Sequence, residues 1–210
     1  MAEEKLDSQL RREQIAEAAL GIVASEGLRR LSVAGVARRV GLVPSGIYRH
    51  FKSKEAMLQA VLDLLAKRLE ANVQAACEES PDALGRLKGV YLRHVRFIRE
   101  GRAIPRLIFS DDVHSGHPER RRRVLRILEG YLGQIARLVR QGQEEGQIRA
   151  GLNPQTVALA FVGMIVPAAI YWHLTEGGFD VTQHAARAWQ LFLTAVAAEK
   201  PDSCSAQCER

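Results

Sequence analysis

The sequence predicts an all-helical protein, and three observations carry that prediction. Apolar residues recur at three- and four-residue intervals along nearly the whole 210-residue chain. Stretches that alternate apolar and polar residues, the mark of half-buried strands, are almost missing. The periodic segments are also bounded by the residues that start and stop helices, with Ser, Asp or Asn ahead and Gly behind.

The first helix is expected to open near Asp7 or Ser8, to bury a stripe of Ile15, Ala18, Ala19, Ile22 and Val23, and to stop at Gly27. Ser32 can cap a short second helix with an apolar side of Val33, Val36, Ala37 and Val40, which Gly41 ends. Pro44 suits the first turn of a third helix running to His50, because a missing N–H costs nothing there. Ser53 caps a longer fourth helix whose inward residues are Met57, Val61, Leu62, Leu65 and Leu69. Ser80-Pro81-Asp82 marks a boundary. Beyond it helices are expected at about 82–100, 103–110 and 118–145, and from the Asn153-Pro154 start to about 175. Gly177-Gly178 breaks that last run, a final helix covers about 181–198, and residues 199–210 read as a flexible tail.

Composition narrows the function. The chain carries a net charge of +6. Residues 1–54 hold ten Lys and Arg against six Asp and Glu, so most of the excess sits in the first quarter and favours an acidic partner there. The N-terminus lacks the apolar stretch of a signal peptide. Three cysteines, Cys77, Cys204 and Cys208, make no disulfide framework and point to a reducing cytoplasm. Val157 to Leu174 is uncharged and reaches minimal spanning length, but with Pro167, His173 and no basic flank it reads as a buried helix of a protein without a membrane role.

The segment GLVPSGIYRHFKSK, Gly41 to Lys54, is where chemistry concentrates. Two short helices joined at Gly41 make a helix-turn-helix, in which Ala37 permits close crossing and Val36, Val40 and Ile47 face the first helix. Pro44, Ser45, Tyr48, Arg49 and His50 are left outward. Hydroxyl and guanidinium donors with aromatic and basic neighbours suit the major groove of duplex DNA.

The run from Ile15 through Leu58, with Ala37, Gly41, Ile47-Tyr48-Arg49-His50-Phe51 and Ser53-Lys54-Glu55, resembles the DNA-binding domain of TetR/AcrR-family transcriptional repressors. The resemblance implies phosphate contacts from Ser32, Tyr48, His50 and Lys54, and base-edge contacts from Pro44, Ser45 and Arg49. It also implies a C-terminal helical domain for ligand binding and dimerisation. The sequence departs from the family pattern at Val43, where a Ser or Thr cap is usual, and at Ser45-Gly46, where Gly-Thr is common.

Other constellations read as structural. Asp111, Asp112, His114 and His117 form a polar turn rather than a metal site. Arg120 to Arg123 occupy the solvated start of a long helix, where their charge opposes the helix dipole and calls for carboxylate partners. Cys204 and Cys208 lie in the tail, and Cys77 serves packing. No nucleophile–base motif or cofactor fingerprint marks an enzyme.

The expected organisation is a DNA-binding domain at 1–53, a connecting helix at 54–80 and a ligand-binding and dimerisation domain at 81–198. A partly apolar effector would be lined by Tyr91, His94, Phe97, Ile104, Leu107, Met164, Tyr171 and Trp172. A partner copy would pack on Gly163, Ala168, Ala185, Ala188, Trp189, Phe192 and Val196. The function expected is a homodimeric repressor of a palindromic operator, released by a small molecule. An effector-insensitive DNA-binding protein is the alternative, followed by a small-molecule-binding protein or enzyme with no DNA role.

Overall fold

The computed structural model describes residues 2–100 and 118–198, with side chains from residue 8 onward. Among these residues the chain forms eight α-helices: α1 Ala2–Glu26, α2 Val33–Arg39, α3 Pro44–Tyr48, α4 Lys54–Glu79, α5 Ala83–Arg99, α6 Pro118–Glu144, α7 Pro154–Leu174 and α8 Val181–Val196. A 3-10 turn, Leu28–Arg30, follows α1. The helix expected at 103–110 lies outside the described residues, as do the Asp111–His117 turn and the tail.

The caps read from the sequence at Ser32, Ser53 and Asn153 are made, and Asp82, read there only as part of a boundary, caps α5. Ser32, Ser53, Asp82 and Asn153 each accept a hydrogen bond from the N–H three residues on, at 3.1, 3.1, 2.8 and 3.0 Å. Gly41 turns the chain between α2 and α3 at φ 68°, a conformation that a side chain would strain. Two boundaries differ from expectation. Helix α1 begins at Ala2 rather than Asp7 or Ser8, because Ala-Glu-Glu-Lys-Leu are all strong helix formers and the early glutamates suit the positive helix end. Helix α8 stops at Val196, since Ala197 turns extended and pairs with Ile148.

Helix α1 packs on α2 and α4, and α2 on α3. Helix α4 is the shared element, because it also packs on α5 and α6. Helices α5, α6, α7 and α8 complete the second layer, with α7 lying between α6 and α8 and also touching α5. One hydrophobic cluster runs through all of them, from Ile15 to Val196. Helix α7 is long and apolar enough to cross a membrane, yet it buries Val157, Ala158, Phe161, Ile165, Ala168 and Ala169 against its neighbours.

The end of the molecule where α4 finishes is heavily tied. The first N–H groups of α5 donate to Glu145 Oε2 (3.1 Å) and Gln147 Oε1 (3.2 Å), and Arg86 donates to the Ser80 carbonyl (2.9 Å) and Gln141 Oε1 (2.7 Å). The turn after α6 also holds the end of α8, through Arg149 N–H to the Val196 carbonyl (2.9 Å) and Ala198 N–H to the Gln147 carbonyl (2.9 Å). Gly142 makes this possible: a Cβ there would lie 2.7 Å from Ile148 Cδ1.

Candidate nucleic-acid interface and effector core

The α2–α3 pair is fixed from beneath by Val36, Ala37 and Ile47, all fully buried. Leu42 N–H closes the turn on the Ala37 carbonyl at 2.8 Å. On the outside, Ser32, Pro44, Ser45, Tyr48, Arg49 and Lys54 are exposed, and His50 is half-buried. Tyr48 is 53% exposed although it sits in a helix whose next-door Ile47 is sealed. Among the described residues none of Tyr48, Arg49 and Lys54 has an ion-pair partner, so their donors remain available to an anionic surface.

Helix α3 is shorter than expected, and His50 falls just past it, its N–H on the Ile47 carbonyl at 2.9 Å. Arg12, which the sequence did not single out, holds this corner. Its guanidinium donates to the His50 carbonyl and lies 4.4 Å above the Phe51 ring centroid. Val43, at the N-cap of α3, makes no capping bond and is 65% exposed. Gly46 is not forced by the fold, since a Cβ there would meet Leu42 at an ordinary 3.6 Å.

Lys54 opens α4, and its neighbour Glu55 receives the Arg120 guanidinium, with Nε at 2.9 Å from Oε2. Three residues further along α6, Arg123 pairs with Asp63. The basic run at 120–123 is therefore partly a contact to the start of α4, beside Lys54, not simply a solvated face. Only Arg121 and Arg122 stand fully outward.

The second cluster lies among α4, α5, α6, α7 and α8. Tyr91 is buried, stacked on Trp189 with centroids 6.0 Å apart and edge-on to Phe161 at 6.0 Å. His94 is buried beside Tyr131, with ring centroids 5.3 Å apart. Its Nδ1 is 3.2 Å from Asn72 Nδ2 and its Nε2 3.3 Å from the Tyr131 hydroxyl. Burial holds the His94 pKa down at about 4, so the ring is neutral at pH 7, and burial pushes the Tyr131 phenol upward. His94 Nδ1 also lies 3.2 Å from the Val90 carbonyl, and among the described residues Asn72 Oδ1 and the Tyr91 hydroxyl have no partner. Each such open group costs about 1–3 kcal/mol in a packed interior.

Of the residues expected to line an effector site, Tyr91 and His94 are in this cluster, with Phe97 6.2 Å from the His94 ring. Met164 and Trp172 are half-buried against the core, whereas Ile104 and Leu107 lie outside the described residues. Tyr171 is corrected: at 61% exposure it points away and packs on Phe179 at the surface. Asn72 and Tyr131 were missed as polar participants. The available signal was an asparagine on the inward stripe of α4, between Leu69 and Val73.

The profile described as "Bacterial regulatory proteins, tetR family" matches residues 15–61, and that described as "Tetracyclin repressor-like, C-terminal domain" matches residues 80–196. The chain belongs to the TetR family. It is 29% identical over 148 residues to the nucleoid occlusion factor SlmA of Marinobacter nauticus, covering 70% of this chain and 74% of that one. It is 21% identical over 183 residues to the fatty acid metabolism regulator protein of Bacillus subtilis, covering 87% and 94%. The fold matches a TetR transcriptional regulator from Chloroflexus aurantiacus with a TM-score of 0.78 at 20% identity, over 92% and 99% of the two chains. It also matches Bacillus subtilis FadR in complex with stearoyl-CoA with a TM-score of 0.70 at 21% identity, over 87% and 97%.

This TetR-family protein is thus a DNA-binding transcriptional regulator. Its expected partner surface needs correcting by residue. Ala168, Ala185, Ala188, Trp189, Phe192 and Val196 are all buried within the single chain. Trp189 and Phe192 fill the space around Tyr91 and Phe161. Only Gly163 of that set is exposed. The outward face of the same two helices instead carries Leu159 (63% exposed), Ile170, Tyr171, Leu174 (74%) and Leu191 (74%). Periodicity did not separate the buried from the exposed side of α7, because that helix is apolar all round and gives no phase.

Proposed function

We propose that the chain is a homodimeric, ligand-responsive repressor that binds a palindromic operator in the cytoplasm and is released by a small-molecule effector. The observation that carries it is the outward set on α3, Pro44, Ser45, Tyr48 and Arg49, held over a fully buried Ile47. Arg49, Ser45 and Pro44 read base edges, while Ser32, Tyr48, His50 and Lys54 hold phosphates. One short helix reads too few base pairs alone, so two copies place their recognition helices about 34–36 Å apart on successive half-sites. The exposed leucines and tyrosine of α7 and α8 supply the self-association surface.

Residues 1–53 act as the reader, 54–80 as the connector and 81–198 as the sensor and dimer scaffold. The effector favours a state in which the reader spacing is wrong, which requires that it bind the two states with different affinity. The stearoyl-CoA bound to the structural neighbour supports an amphipathic small molecule as effector. The similarity to a nucleoid occlusion factor favours a second reading, a DNA-binding protein without an effector.

Gel retardation on the protein's own promoter tests the first reading. Binding should fall steeply with salt, Tyr48→Phe and Lys54→Ala should each weaken it on every sequence, and Arg49→Ala should also relax sequence preference. Unchanged binding in all three variants sinks the assignment. Equal competition by random DNA selects the second reading.

A further inference from the structure

Helix α3 has little of its own to hold it in shape. It is five residues long, and its N-cap Val43 makes no side-chain capping bond. Helices shorter than about 12–15 residues are marginal in water, because ordering the first turn costs more than its hydrogen bonds contribute. Gly46, at the centre of α3, weakens it further. A helix that must present Tyr48 and Arg49 in one geometry therefore depends on supports from outside.

Those supports can be named. Ile47 is fully buried beneath the helix. At the entry, the Leu42 N–H closes the turn on the Ala37 carbonyl at 2.8 Å. At the exit, the His50 and Phe51 N–H groups share one acceptor, the Ile47 carbonyl, each at 2.9 Å. Carbonyls at the end of a helix have no partner within it. That of His50 finds one 38 residues away in sequence, the Arg12 guanidinium of α1.

The chemistry of Arg12 suits this position. A cation is favoured at the carbonyl end of a helix, and a guanidinium offers several donors in a rigid plane. That plane lies over the Phe51 ring, 4.4 Å from its centroid. Phe51 is 2% exposed, so the ring is a fixed seat. Among the described residues no carboxylate pairs with Arg12, which leaves the carbonyl and the ring as its contacts.

We infer that Arg12 is a positioning residue for DNA binding: from α1 it clamps the exit of α3 and keeps the recognition helix formed before DNA arrives. The inference rests on the reading of α3 as the DNA-facing helix given above. A protein binds in proportion to the fraction of it that is already competent. Arg12 raises that fraction without itself gripping a phosphate.

The test uses the full chain and a duplex that the protein selects from a random pool. Arg12→Gln should bind that duplex about tenfold more weakly, the worth of one charge-assisted hydrogen bond. Its unfolding temperature should fall by no more than about 5 °C, so the fold persists under assay conditions. Arg12→Lys keeps a charged donor for the carbonyl and should recover part of the loss. The dependence of log affinity on log salt separates positioning from direct contact. Its slope should stay within about 0.3 of the parent's in Arg12→Gln and shrink by about 0.9 in Lys54→Ala. Without DNA, amide hydrogen exchange over residues 47–52 should quicken in Arg12→Gln while that of α7 does not change. Gly46→Ala should raise affinity about threefold in the Arg12→Gln background and less than about twofold in the parent, where the helix is already formed.

A slope that shrinks by about 0.9 in Arg12→Gln would make Arg12 a phosphate contact and overturn the positioning role. Unchanged affinity, unchanged exchange at 47–52, or an equal gain from Gly46→Ala in both backgrounds overturns it too. If Lys54→Ala lowers neither affinity nor slope, the assignment of this face to DNA is what fails. The exchange at 47–52 then still decides whether Arg12 holds α3.

Discussion

Val43 stands at the N-cap of α3, the helix that presents Tyr48 and Arg49, with φ −83° and ψ 154° and no side-chain capping bond. Those dihedrals are the ones a capping serine adopts, so Val43→Ser adds an acceptor for the Ser45 N–H without moving the backbone, Pro44 having no N–H and the Gly46 N–H already lying 2.8 Å from the Val43 carbonyl. A cap of this kind contributes about 1 kcal/mol. Against it stands the buried part of the valine, which is 65% exposed. About a third of the burial energy of such a side chain, on the order of 0.5 kcal/mol, is lost. The net gain is therefore about 0.5 kcal/mol, or an unfolding temperature raised by about 1–2 °C for a chain of this size. Val43→Ala loses the burial and gains no cap, so it should fall by about 0.5 kcal/mol and leave a serine–alanine difference of about 1 kcal/mol. Paired urea denaturation of the two variants measures that difference directly. Equal midpoints for serine and alanine would refute the reasoning and show that the Ser45 N–H gains nothing from a serine at position 43.

Three further outcomes are expected. His94 has a folded pKa near 4, below the ordinary 6.5. Stability is thus complete above pH 6.5 and falls by about 1.4 kcal/mol per pH unit as the pH drops from there towards 4. Urea midpoints between pH 7 and 5 should show this slope, and His94→Leu should flatten it. A double-mutant cycle on Arg120→Gln and Glu55→Gln should return a coupling of about 1 kcal/mol, kept modest because the Glu55 side chain is 43% exposed. Replacing Leu159 and Leu174 together by glutamate should leave the unfolding temperature within a few degrees, because both are largely exposed in the single chain. The same variant should sediment as a monomer at micromolar concentration; a dimer there would remove α7 from the self-association surface.

Much of the fold was legible because its signals are local. Ser32, Ser53 and Asn153 announced helix starts by residue type, and the stripe Met57–Val61–Leu65–Leu69 announced which side of α4 is buried. What stayed hidden depends on where chain segments meet. Arg120 looked like one of four solvated cations until α6 came to lie along α4 and set it on Glu55. Asn72 and Tyr131 are 59 positions apart in sequence, and nothing short of the packing puts both beside His94. The partner surface failed for a different reason: a uniformly apolar helix such as α7 carries no phase, so sequence alone cannot separate its inner from its outer side. At Gly46, where the sequence departs from the family pattern, the space beside the residue shows that the fold itself does not demand a glycine.

The hydrogen-bonded knot around Ser80, Glu145 and Gln147 gives the molecule a mechanical character. Helix α4 is anchored there and reaches the DNA-binding end through 26 residues, a beam of about 39 Å. A beam built in at one end magnifies any push along its length at the other: a tilt of about 3° carries Lys54 through about 2 Å at that length. By the same geometry a displacement of about 0.6 Å at Asn72, about 10 Å from the anchored end, carries Lys54 through about 2 Å. In the effector-released mechanism proposed above, the stiffness of that knot would set how far a tilt of α4 carries Lys54.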